Sequence, residues 1–154
     1  MTIKVRVASL HDCEKEIKKM FHNILADYCE RFGVTVTNTK VKEIIFCLVH
    51  YDDAAMSAGL TCYADDGAKI LIQLRDPFLS DWEGNPYTMT KFVGILAHEI
   101  VHACQHLTGR KGIKINNLKY DKTKTEEAYF FSPDEIEARI FEDPYASLYG
   151  QDLL

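Results

Sequence analysis

Two histidines and a glutamate within five residues are the group in this sequence best suited to chemistry. Residues 98–102 have the pattern His-Glu-x-x-His inside an apolar run. Residues four apart on an α-helix share a face, about one turn apart, so His98 and His102 can bind one zinc ion. Glu99 follows the first ligand and would lie beside a water on the open side of the metal, where a general base is needed. The pattern predicts a catalytic zinc site; two surface-helix histidines beside an unrelated glutamate are the alternative.

The predicted site needs a third protein ligand, because a catalytic zinc has three and keeps its fourth position for water. His106 continues the stripe, but on a straight helix it lies about 12 Å along the axis from His98, too far for both to bind one metal. The metzincin signature would need a histidine at position 108, where this chain has Thr108. The best-placed remaining groups are the carboxylates of Glu135 and Glu137, between which the residues alone do not choose.

Three elements must position these groups. The motif helix can begin at Thr88 or Thr90 and end at Gly109. The strand-like run 70–74 immediately precedes it and is either a substrate-binding edge strand or a central strand of the sheet.

The third element is a predicted helix that contains the two candidate glutamates. Ser132 is a good N-cap, Pro133 takes the first helical position and Glu135 has capping-box spacing. We expect this helix to continue to about Phe141 and to be followed by a short irregular tail.

The N-terminal half alternates strand and helix patterns, which together with the later helices indicates an α+β fold. A helix of 3.6-residue periodicity starts after Ser9, a candidate N-cap, and ends at Gly33. The turn residues 64–67 join two of the strands in a predicted hairpin. The predicted strands are residues 1–7, 43–49, 59–63 and 68–74.

Composition places the chain among ordinary globular proteins. Its 154 residues predict a single domain over 1–154, and the net charge of −5 gives no general attraction to nucleic acid or anionic lipid. No apolar run approaches the roughly 20 residues of a membrane span, and the start is not that of a signal peptide. The five cysteines form no C-x-x-C, which is typical of reduced thiols, and Cys104 would point away from the metal face. We expect a cytoplasmic protein that binds neither membranes nor nucleic acid.

A motif helix of this kind, followed some 30 residues later by a Glu-x-x-Ala helix, resembles the gluzincin-type zinc peptidases. The resemblance covers roughly residues 70–141 and includes small ImmA/IrrE-like and phage-encoded metallopeptidases. It implies a zincin-like fold, Zn²⁺ as cofactor and Glu135, three before Ala138, as third ligand. Family members often continue to a third histidine, as His106 does here. They also often have Asp or Asn after the small residue, where this chain has Arg139.

The pattern and the resemblance together predict a zinc metalloprotease that hydrolyses a protein or peptide substrate through a metal-activated water. The oxyanion that forms needs a further donor. Tyr87, Tyr120, Tyr129 and His106 are candidates, although an aromatic run such as 129–131 is more often part of a core. The alternative is a catalytically silent zinc-binding regulatory module with the same fold. The basic residues of 110–124 are typical of a solvated loop, with a substrate-contacting flap or a nucleic-acid patch as the alternatives.

Overall fold

Four β-strands and four α-helices are present in the part of the chain that the computed structural model describes, namely residues 3–9, 11–49, 59–77, 89–113 and 125–154. The predicted α+β class is confirmed. In chain order the elements are β1 (Lys4–Ala8), α1 (Glu14–Phe32), β2 (Glu43–Val49), β3 (Gly59–Ala64), β4 (Lys69–Arg75), α2 (Met89–Thr108), α3 (Thr125–Phe130) and α4 (Pro133–Tyr149). No helix in these ranges has both the length and the apolar character needed to cross a bilayer.

The strands form one mixed sheet in the order β1-β2-β4-β3. β1, β2 and β4 are parallel, and β3 pairs antiparallel with β4 through the predicted hairpin turn, where Asp65 and Asp66 have positive φ values of 52° and 55°. Of the two possibilities for the strand preceding the motif helix, the central position is correct, because β4 lies between β2 and β3. The edge strand next to the motif helix is β3.

Helices α1 and α2 pack together, α1 beside β1 and α2 beside β3 and β4. The α2 helix also has an extensive interface with α4, so it is enclosed on several sides. This position explains why apolar residues occur around most of the helix rather than along a single stripe. Its fully buried apolar residues are Phe92, Val93, Leu96, Ala97, Ile100, Val101, Ala103, Cys104 and Leu107.

Two helix starts differ from expectation. The α1 helix begins after Cys13, and Ser9 instead accepts a hydrogen bond from the His11 backbone N–H. Thr90 lies inside α2 and is not its cap, while Thr88 is outside the described residues. The predicted ends at Gly33 and Gly109 are present, both glycines having the positive φ that favours glycine there.

The α4 helix starts as predicted but extends eight residues beyond its predicted end at Phe141, to Tyr149. Ser132 caps it by accepting a hydrogen bond from the Glu135 N–H at 3.3 Å. Tertiary packing stabilises the extension, because it buries Tyr145 completely. Pro144 lies on an exposed part of the helix, where its missing N–H is tolerated. The tail predicted to be irregular is therefore mostly helical.

Candidate metal centre

The predicted ligands converge where α2 faces α4. His98 Nε2 lies 3.0 Å from Glu135 Oε1, and His102 Nε2 lies 2.9 Å from Glu135 Oε2. One ligand atom from each of the three residues lies within 4.8 Å of the others. Tetrahedral ligand atoms about 2.0–2.1 Å from a shared zinc are separated by about 3.3 Å. The His₂Glu set is therefore compact enough to hold a zinc ion after local movement of the side chains.

The electrostatics of this group also suit a cation. Burial disfavours the charged imidazole of His98, but hydrogen bonds to Glu135 and Glu142 outweigh burial and raise its pKa to about 9. Burial likewise opposes a raised pKa in His102, yet its bonds to Glu135 and Gln105 prevail. Burial disfavours the Glu135 carboxylate, and hydrogen bonds from the two histidines hold its pKa well below the usual value. The Glu135 carboxylate thus stabilises positive charge on the two imidazoles, at the point where a metal cation would bind.

Each histidine is also held from behind by an acceptor. His98 Nδ1 lies 2.9 Å from Glu142 Oε1, and His102 Nδ1 lies 2.9 Å from Gln105 Oε1. Such bonds orient an imidazole and select the tautomer whose other nitrogen can bind a metal. Sequence reasoning missed both residues. Glu142 lies two turns after Glu135 on the same side of α4, a spacing that would have identified it had the helix been extended.

Glu99 lies almost completely buried beside the two histidines, with 6% of its surface exposed. Burial raises the pKa of its carboxyl, and the charges of His102 and His98 oppose this. Thr61 on β3 places its hydroxyl 3.1 Å from Glu99 Oε1. At Gly59 on the same strand, a Cβ would lie only 3.1 Å from Glu99 Cγ. The edge strand therefore contacts the predicted base directly.

Two residues weighed as ligands lie elsewhere. Glu137 is completely buried and accepts a hydrogen bond from the Tyr28 hydroxyl at 2.5 Å, besides its ion pair with Arg110. His106 stacks on Tyr63, with ring centroids 4.1 Å apart, and is not part of the converging group. Of the two glutamates, only Glu135 meets the histidines.

A cleft of about 370 Å³ opens beside the converging group. Tyr129 lines it and is 64% exposed, so the aromatic run at 129–131 does not belong to the core, contrary to expectation. Burial of its hydroxyl and the nearby Glu135 carboxylate raise the pKa of Tyr129 to about 12. Tyr87 and Tyr120 lie outside the described residues. The other lining residues are Gly59, Leu60, Thr61, Tyr63, Glu99, His102, Gln105, His106, Gly109, Arg110, Lys111 and Asp134.

Arg139 occupies the position where the resembled family often has Asp or Asn. Its guanidinium lies 4.0 Å from Glu135 Oε1 and 3.8 Å from the centre of the Phe130 ring. It therefore borders the candidate third ligand Glu135, and Glu142, one turn further on, contacts the candidate ligand His98 instead.

Compared with known proteins, the chain matches no family model, no curated protein and no solved structure. The function must therefore be argued from the motif and from the geometry of the site.

Proposed function

We propose that this chain is a zinc-dependent endopeptidase with a zincin-like, gluzincin-type site. His98, His102 and Glu135 would hold the metal, and Glu99 would act as general base. The observation that carries the proposal is the convergence of both imidazoles on the two oxygens of Glu135, with Glu99 alongside. A purely structural zinc site would need neither Glu99 nor an adjoining cleft.

The chain's own residues supply the proton transfers. When bound, zinc polarises the scissile carbonyl and lowers the pKa of a water molecule. Glu99 takes a proton from the attacking water and delivers it to the leaving amine. The Thr61 hydroxyl, 3.1 Å from Glu99 Oε1, holds the carboxylate in place. Tyr129, with a pKa of about 12, remains protonated at neutral pH and can donate a hydrogen bond to the developing oxyanion.

Strand β3 is the element best suited to hold an extended substrate. It is an edge strand of the described sheet and borders the cleft. A peptide can pair with the free side of such a strand through backbone hydrogen bonds, while side chains beside it provide selectivity. Leu60 and Tyr63 are 51% and 50% exposed, and both line the cleft together with Tyr129, so we expect a peptide with apolar or aromatic side chains.

Proteolysis by wild type and by Glu99→Gln tests the proposal. Both proteins, loaded with one equivalent of zinc, are incubated with a library of unstructured peptides, and the products are identified by mass spectrometry. We expect cleavage by the wild type and loss of at least about 100-fold in Glu99→Gln. Glu14→Gln, at an exposed position of α1, is the matched control and should cleave normally.

Equal cleavage by the wild type and Glu99→Gln would contradict the proposal. Stoichiometric zinc without any cleavage that depends on Glu99 would favour the catalytically silent regulatory module instead.

A further inference from the structure

A buried amide lies directly behind one of the two ligand histidines. Gln105 follows His102 by three residues on α2, and its Oε1 lies 2.9 Å from His102 Nδ1. Its Nε2 donates to the Asp134 carbonyl at 2.9 Å and to Glu137 Oε1 at 3.3 Å. Both hydrogens of the amide thus have acceptors on α4, and only its oxygen is left for His102.

This arrangement selects the tautomer of His102. An amide oxygen can only accept, so the facing Nδ1 must carry a hydrogen. In the neutral imidazole the lone pair is then on Nε2, which is the nitrogen directed at Glu135. If the amide were reversed, its hydrogens would face His102 and its oxygen would face two acceptors. The two acceptors on α4 therefore determine which His102 nitrogen is free.

Glu137 is in turn fixed by residues from two other parts of the chain. The Tyr28 hydroxyl on α1 donates to Glu137 Oε1, and Arg110, just after α2, forms an ion pair with Oε2. The Arg110 guanidinium also lies over the Phe32 ring, 3.5 Å from its centre. Gly112 packs so closely that a Cβ would overlap the Pro133 carbonyl. The carboxylate of Glu137 is therefore held in one position.

We propose that Gln105 is a positioning residue for the metal centre and that Glu137, held by Tyr28 and Arg110, sets its orientation. The effect on the metal passes through His102, and neither residue touches the metal. This inference rests on the proposed zinc site. Glu137, which does not meet the histidines, would then affect zinc affinity through the orientation of Gln105.

Zinc affinity, measured by competition with a chromogenic chelator, is the first test. Gln105→Leu keeps a similar volume but removes the acceptor, and we expect its Kd for zinc to rise about 10- to 100-fold. Gln151→Leu makes the same change at an exposed position and should leave the Kd unchanged. In the double variant Gln105→Glu/Glu137→Gln the amide and the carboxylate exchange places. The exchange restores an acceptor for His102 and a donor between the two residues, while the Asp134 carbonyl loses its donor, so the Kd should return part of the way from the Gln105→Leu value toward that of the wild type.

A second readout does not depend on any variant folding. In zinc-loaded wild type labelled with ¹⁵N-histidine, the Nδ1–H of His102 should give an NMR signal that exchanges slowly with water. The reason is that this hydrogen is shielded from solvent and donates a hydrogen bond to Gln105 Oε1. Absence of that signal would overturn the proposal, as would an unchanged Kd in folded Gln105→Leu. If either of these results is obtained and the wild type still binds zinc, the proposal for Gln105 fails but the proposed function does not. If the wild type binds no zinc, both the proposal for Gln105 and the proposed function fail.

Discussion

Two polar groups lie near the interface of α2 and α4, and each is centred on a glutamate of α4. The open group, made of His98, His102 and Glu135, meets the cleft at His102. The closed group, made of Tyr28, Gln105, Arg110 and Glu137, surrounds a completely buried carboxylate, and its Gln105 and Arg110 reach the wall of the same cleft. The two glutamates are only two residues apart on α4, so helical geometry directs them to different sides of the helix.

The two groups differ in the partners of their carboxylates. In the closed group, a guanidinium neutralises Glu137, and the tyrosine and the amide supply further donors. In the open group, the closest partners of Glu135 are two imidazoles, which bind either a proton or a metal at the same nitrogen. Burial alone therefore does not distinguish a candidate metal ligand from a structural glutamate. The candidate ligand Glu135 differs in that its partners, the two imidazoles, can exchange a proton for a metal ion.

Exchanging the two glutamates for glutamines gives the largest expected effects. Glu135→Gln removes the proposed third ligand and should weaken zinc binding by more than about 100-fold, beyond the usual effect of a residue that contacts a ligand without touching the metal. Glu137→Gln should still bind one equivalent of zinc, with a Kd raised no more than in Gln105→Leu, but lose roughly 2–4 kcal/mol of folding free energy, because Arg110 loses its buried counter-charge. Chelator competition and urea unfolding of the metal-free proteins measure the two effects. If Glu137→Gln lost zinc while Glu135→Gln kept it, Glu137 and not Glu135 would be the third ligand.

Replacing Glu142 tests whether the open group also depends on a residue behind a ligand. Glu142→Leu removes the acceptor at His98 Nδ1 and should weaken zinc binding about 10-fold, the low end of the usual range, since this side chain is 34% exposed. The matched control is Asp143→Asn at the exposed neighbouring position. An unchanged affinity in Glu142→Leu would show that His98 needs no such support.

Thr61→Val tests the contact between the edge strand and the proposed base. The variant keeps the shape of the side chain but removes the hydroxyl that lies 3.1 Å from Glu99 Oε1. We expect kcat to fall about 10-fold with unchanged zinc affinity, since a hydrogen bond to a charged carboxylate contributes at least about 1.5 kcal/mol. Thr61→Ser retains the hydroxyl and should behave like wild type. A change in zinc content instead would assign Thr61 to the metal centre.

A half-exposed cluster around Asp27 has partners like those of Glu137 and should show the smallest effect. Tyr145, Tyr149 and Arg31 all donate to Asp27. Burial opposes ionisation of Asp27, but these donors outweigh burial and lower its pKa below the usual 3.8. Its contribution to stability is therefore complete above about pH 4 and is lost as the pH falls through the lowered pKa.

We expect Asp27→Asn to cost about 1 kcal/mol at pH 7 and progressively less in acid. Urea unfolding of both proteins at pH 7 and at pH 3 measures the difference. A larger loss at pH 3 than at pH 7 would contradict this account, and a loss as large as that of Glu137→Gln would remove the distinction between half-exposed and buried clusters.

Local signals predicted several parts of the fold and of the site. The Ser132 cap, the Gly33 and Gly109 helix ends and the β3–β4 hairpin depend on neighbouring residues, and all are present. The end of α4 was missed because burial of Tyr145, a contact made far along the chain, extends the helix. The exposure of Tyr129 was missed for a similar reason, since an aromatic run does not reveal whether it faces a core or a cleft.

The sequence by itself determined that His98, Glu99 and His102 share one region of a helix, because helical periodicity follows from local spacing. It also narrowed the third ligand to two glutamates on one later helix. Only the tertiary structure decided that Glu135 meets the histidines, that β3 is an edge strand of the described sheet and that Glu142 and Gln105 contact the two candidate ligand histidines. These facts depend on how α2, α4 and the sheet pack. Such packing arises from many contacts between distant residues and has no local signature.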